Sequence, residues 1–121
     1  MPRLVVQEHS RAGEKHYDLM LENPGMLTGL LWTWRFDEFP GSRLAQTCER
    51  IPDHEPRFLE YEGPLSADKG SVRIVDSGTF DLLAGQEDQV VFTARARRVI
   101  GSCRLLRGDN DNWSFTCEPY K

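Results

Sequence analysis

Strong turn signals recur along this chain at short intervals: Asn23-Pro24-Gly25, Pro40-Gly41, Gly63-Pro64, Asp76-Ser77-Gly78 and the run Gly108 to Asn112. Between them, no stretch of about ten residues or more carries apolar side chains at helical spacing. What lies between them alternates with a period of two and is rich in β-branched and aromatic residues, as strands are. A chain of many short strands and no amphipathic helix must bury its apolar faces sheet against sheet. The expected fold is therefore all-β, a single compact antiparallel β-barrel with an active-site groove and little or no helix, over residues 1–121.

In chain order, Leu4 to Glu8 reads as a first strand, Ser10 to Lys15 as a loop, and His16 to Glu22 as the second strand. After the turn at Asn23-Pro24-Gly25, Met26 to Phe36 resumes a strand, Asp37 to Ser42 is a loop, and Arg43 to Cys48 is a strand. Arg50 to Arg57 is expected to be irregular, because Pro52 and Pro56 flank Asp53-His54 and proline cannot donate to a ladder. Phe58 to Glu62 reads as a short extended segment. Ser71 to Val75 and Thr79 to Leu83 read as a hairpin about Asp76-Ser77-Gly78, and Gln89 to Ala96, Ile100 to Leu106 and Trp113 to Cys117 as the last strands.

The second strand carries the chemistry. Tyr17, Leu19 and Leu21 share one face, which a core can take, and His16, Asp18, Met20 and Glu22 share the other. An imidazole and a carboxylate side by side on a stiff element are ligands that a divalent metal takes together. A tight return from the first strand would bring His9 beside them, and His54, between two prolines, is a further candidate. A His-x-Asp pair on a strand is, taken alone, usually an ordinary solvated or hydrogen-bonded pair.

Composition limits the alternatives. At 39% hydrophobic residues in 121, the chain supports one modest core, and no apolar run approaches the roughly 20 residues that span a bilayer. Residues 1–20 hold His9, Arg11, Glu14 and Lys15 and lack the apolar segment of a secretory signal, so a cytoplasmic protein with no membrane association is expected. Cys48, Cys103 and Cys117 are odd in number and form no CxxC, so they read as core-filling thiols. The net charge of −4 argues against bulk affinity for nucleic acid. Residues 91–121 nevertheless hold six Lys or Arg against three acids, a strip that either serves an end-binding site or simply keeps the surface soluble. No P-loop, GxGxxG or GxSxG pattern is present.

Taken together, Val-Val-Gln-Glu-His (5–9), His-Tyr-Asp (16–18), Leu-Glu (21–22), Arg-Leu-Ala (43–45), Asp-His (53–54), Tyr-Glu-Gly-Pro (61–64), Gly-Ser-Val (70–72), Asp-Ser-Gly-Thr-Phe (76–80), the run 97–107 and Asn112-Trp113 span nearly the whole chain in order. This string resembles the 3′-phosphoesterase module of bacterial DNA ligase D, especially its stand-alone single-domain relatives. The resemblance implies manganese-dependent removal of a 3′-terminal ribonucleotide or 3′-phosphate from DNA during end joining, with Zn²⁺ or another divalent ion as a substitute for Mn²⁺. It implies a metal set of His9, His16 and Asp18, which also count as catalytic, and His54 as the residue that contacts phosphate and supports catalysis. The family has an arginine where this chain has Met20, a glutamate where it has Pro52 and a tyrosine where it has Phe58. Arg35, Arg43 or Arg50 can take over from the missing arginine, and the expected phosphate set is His54, Arg43 and Arg50. The expected partners are nucleic-acid 3′ ends and a ligase, polymerase or other end-joining protein, with the chain itself a monomer. The alternatives are a module that holds an end without cutting it, and a barrel that binds a small ligand with the histidines incidental.

Overall fold

A computed structural model describes residues 1–23 and 29–119. The described residues form nine strands: β1 (Arg3–Arg11), β2 (Glu14–Glu22), β3 (Leu31–Phe36), β4 (Ala45–His54), β5 (Gly63–Pro64), β6 (Ser71–Gln86), β7 (Gln89–Ala96), β8 (Ile100–Arg107) and β9 (Asn112–Glu118). All pairings are antiparallel, in the order β1-β2-β3-β4-β9-β8-β7-β6, and β6 returns to pair with β1. Eight strands thus close a barrel, which removes the exposed edges of an open sheet. The expected all-β barrel is what the chain forms.

Its interior is filled by alternate side chains of the ring: Leu4 and Val6 from β1, Leu19 and Leu21 from β2, Trp34 and Phe36 from β3, Phe80, Phe92, Leu105 and Phe115 from the far side. Edge-to-face pairs Trp34–Trp113 and Phe36–Phe115 cross this core. The second strand therefore faces as its alternation predicts.

Four local expectations are corrected. The first return is no loop over Ser10 to Lys15: pairing continues to Arg11↔Glu14, and Ala12 (φ 51°) and Gly13 (φ 83°) make a two-residue turn with both residues left-handed. β4 runs on through Pro52 to His54, where irregularity was expected. A register shift against β3, from Thr33↔Ile51 to Leu31↔His54, puts Pro52 in a bulge where no ladder donor is needed. Phe58 to Glu62 is not extended, because a 3-10 helix occupies Pro56–Leu59. The hairpin about Asp76-Ser77-Gly78 does not exist, and β6 passes straight through it. Asp76 is buried and accepts backbone N–H bonds from Ser77, Arg97, Arg98 and Val99, so its carboxylate fastens the turn between β7 and β8. Gly78 is there for proximity: a Cβ would lie 2.3 Å from the Arg95 carbonyl oxygen. The expected turn at Pro24-Gly25 and strand start at Met26 lie outside the described residues; the third strand is described from Leu31.

The segment after β4 folds back over the outer face of β1, β2 and β3. Val5, Met20 and Leu31 are fully buried there under Leu59, with Phe58 and Ile74 alongside, forming a second, smaller core outside the barrel. Gln7, 1% exposed, pins this cover by donating both amide hydrogens, to the carbonyls of Phe58 and Tyr61 at 2.9 Å each.

Candidate metal centre

Cross-strand register sets out the outer face in rows. Val5, Met20, Thr33 and Ile51 form one row; Gln7, Asp18, Arg35 and Glu49 form the next; His9 and His16, direct partners, form the third. In the first row Val5, Met20 and Thr33 are covered. Asp18, Arg35 and Glu49 of the second row and His9 of the third line an open groove of about 910 Å³, walled by the 3-10 helix and the segment from Tyr61 to Lys69. Ile51 of the first row reaches this groove.

His9, His16 and Asp18 each offer a ligand atom, and these atoms lie within 4.8 Å of one another. His9 Nδ1 and His16 Nε2 are 3.0 Å apart, and His16 Nε2 is 3.3 Å from Asp18 Oδ1. Two nitrogens each roughly 2.1 Å from one ion at a right angle would be about 3.0 Å apart. The protonation pattern also suits an ion. The Lys69 carbonyl, 2.6 Å from His9 Nε2, can only accept, so His9 donates there and turns its Nδ1 lone pair toward His16.

Asp18 is 3% exposed, and its Oδ1 has no hydrogen-bond donor. Buried carboxylate oxygens are ordinarily paired. An unpartnered one aimed at two imidazole nitrogens is what a cation would satisfy. The residues therefore suit a divalent ion, with mixed nitrogen and oxygen donors and an open side toward the groove.

His54 joins from β4. Its Nε2 lies 3.9 Å from Asp18 Oδ2, its Nδ1 donates to the Pro52 carbonyl at 3.0 Å, and its ring packs edge-on against Phe58. All three histidines of the chain converge here, two through hairpin register and one through the bulge at Pro52.

The arginines are arranged otherwise than expected. Arg43 is exposed and bonded to Glu38 at 2.5 Å and 3.0 Å, in a separate hollow on the far side of β4; that pairing holds the Glu38 carboxyl below its usual range. Arg50 lies over the Trp34 ring and donates to Asp53 at 2.6 Å. Neither lines the groove. Arg35 does, opposite Asp18 in register, and so do Arg11, Arg57 and Lys69. Arg57 stacks on Phe58 and Tyr61 and pairs with Glu55. Arg11, Arg35 and Lys69 make no side-chain ion pair among the described residues. Among the described residues, no basic side chain of the C-terminal strip lines the groove; Arg95 and Arg107 pair with Asp81 and Glu87, and Arg98 covers Phe39.

Met20 does not reach the groove either. It shares a face with His16 and Asp18, but it is fully buried beneath Leu59. Sequence reasoning missed Gln7, Arg11, Arg57 and Lys69. Gln7 left one usable signal, a polar residue on the same strand face as Val5 and His9; Arg11 ends β1, Arg57 lies in the 3-10 helix and Lys69 in the segment before β6, and no local pattern foretells that these places meet.

No helix among the described residues is long and apolar enough to cross a membrane. No protein-family model and no curated protein matches this chain.

Proposed function

We propose that this protein is a divalent-metal-dependent phosphoesterase that trims the 3′ ends of nucleic acid, removing a 3′-phosphate or a 3′-terminal ribonucleotide. The observation that carries the reading is the buried, donor-free oxygen of Asp18 beside two imidazole nitrogens, in a groove also lined by Arg11, Arg35 and Lys69, which make no side-chain ion pair among the described residues. A groove with an acidic floor and basic rim suits a ligand that brings both a cation and a phosphate.

His9, His16 and Asp18 would hold the ion, with Mn²⁺ the first choice for a mixed nitrogen and oxygen site and Zn²⁺ a competitor. Bound there, the ion supplies positive charge to a phosphoryl oxygen and makes water a better nucleophile. The chain's own residues do the rest. Lys69 and the hairpin keep His9 in one tautomer. Arg35, opposite Asp18 in register and lining the groove, donates to the phosphate oxygens, a charge-assisted contact that serves charge and orientation together. His54, fixed through Nδ1 by the Pro52 carbonyl, presents Nε2 to the leaving oxygen and, as the imidazolium, gives it the Nε2 proton and is left neutral. The single-stranded end would lie along the groove against Phe58, Tyr61 and the Arg57 guanidinium stacked on them, a set of planar groups that suits bases.

The test is a gel assay on a DNA primer ending in a single ribonucleotide or in a 3′-phosphate, with and without Mn²⁺, for the native protein and for His16→Ala. Shortened or dephosphorylated primer that depends on both metal and His16 supports the reading. A specific observation favours an end-binding module as the second reading: Phe58 packs its ring against His54 and brings no hydroxyl. Metal-dependent retention of labelled primer without any product would select that second reading.

A further inference from the structure

On the opposite side of the barrel, Cys103 of β8 and Cys117 of β9 are direct cross-strand partners. Their sulfurs are 3.0 Å apart, and both are free thiols. Cys103 is 1% exposed within the barrel core, and Cys117 is half-buried at its margin. Neither strand contributes a residue to the groove.

Directly opposed residues of an antiparallel pair have Cα atoms about 4.5 or 5.5 Å apart, inside the range of roughly 4.4–6.8 Å that a disulfide spans. Closing the sulfurs to about 2.05 Å therefore needs side-chain rotation and no rearrangement of the ladder. Cys48, the third cysteine, is buried elsewhere in the core, and burial pushes its thiol up to about 12.

We propose that Cys103 and Cys117 are a reversible redox pair that closes into a cross-strand disulfide, with a low-molecular-weight disulfide as oxidant. Cys117 is the attacking group, being the more accessible. The Cys103 S–H donates to its sulfur and draws its thiol below the usual range, while that bond and burial push Cys103 up. The Cys117 thiolate attacks one sulfur of the small disulfide and expels the other as a thiolate. Cys103 then loses its proton and attacks the Cys117 sulfur, which expels the second small thiolate. Two protein thiols are oxidised to one disulfide, and the small disulfide is reduced to two thiols. The bond fastens β8 to β9 around the loop at Gly108–Asn112.

The native protein is equilibrated with oxidised and reduced glutathione at graded ratios, then alkylated, digested and mapped by mass. Oxidation should leave one free thiol, at Cys48, a Cys103–Cys117 crosslinked peptide and no retained glutathione. The melting temperature should rise by about 5–15 °C on closure of this short loop. In Cys103→Ala the reaction should stop with glutathione retained on Cys117. Three free thiols at the most oxidising ratio, retained glutathione on the native Cys117, or an oxidised form that melts no higher than the reduced one would each overturn the proposal.

Discussion

Replacing Asp18 by asparagine separates what this carboxylate costs the metal-free protein from what it does for a bound ion. Asp18 is 3% exposed; among the described residues Oδ1 has no donor, and Oδ2 faces His54 at 3.9 Å. Leaving a buried acceptor unsatisfied costs about 1–3 kcal/mol, and more when it is charged. Asn keeps the shape, removes the charge and offers an N–H to the imidazole nitrogens. It leaves one oxygen still unpaired, so the gain for the metal-free Asp18→Asn protein is set at about 1–2 kcal/mol. For 121 residues, about 1 kcal/mol corresponds to roughly 4 °C in melting temperature, which gives a rise of about 4–8 °C. Metal reverses the order. At a free concentration of about 100 times Kd, an ion stabilises the native protein by roughly 2.7 kcal/mol, or about 10 °C. Loss of an outer-shell partner of a metal ligand already weakens affinity about 10–100-fold, and loss of a ligand should cost at least roughly a hundredfold. The Asp18→Asn protein should then shift by about 2 °C or less at the same metal concentration. Differential scanning fluorimetry in chelator and in Mn²⁺ reads both numbers. An Asp18→Asn protein that melts lower than native without metal, or that keeps the full metal shift, refutes the assignment of the orphan oxygen to an ion.

Met20→Arg should lose about 3–5 kcal/mol or fail to fold, because it places an unpaired charge under Leu59, whereas Met20→Leu should cost less than about 1.5 kcal/mol; urea denaturation compares them. Gln7→Leu should cost about 2–3 kcal/mol, since it orphans the carbonyls of Phe58 and Tyr61, and should raise amide exchange in residues 56–61 ahead of the barrel. Arg35→Ala should weaken binding of a 3′-phosphate primer about tenfold to a hundredfold at saturating metal, with no change in Arg43→Ala, as measured by fluorescence anisotropy.

How far the sequence carries the reader depends on the range over which each residue acts. The barrel and the pairing of His9 with His16 were legible because both follow from period-two alternation and a short return, features written within about ten neighbouring residues. Asp76-Ser77-Gly78 misled for the same reason. Locally it is a turn signal, yet Asp76 serves four N–H groups, three of them more than 20 positions away, and Gly78 admits a neighbouring strand. Met20 misled in a subtler way. Its face was assigned correctly, but alternation says only which side of the strand a residue is on, not what later folds over that side. The cover comes from Leu59, brought back by Gln7 holding the segment after β4. One outer face is thereby divided in two, a sealed apolar half at Met20 and an open polar half at Asp18, two residues further back along the same strand. The groove exists because that cover stops between them. A residue's chemistry at such a boundary is set by contacts some 40 positions distant, and the arginine that fits the groove is Arg35, whose register opposite Asp18 no one-dimensional spacing displays.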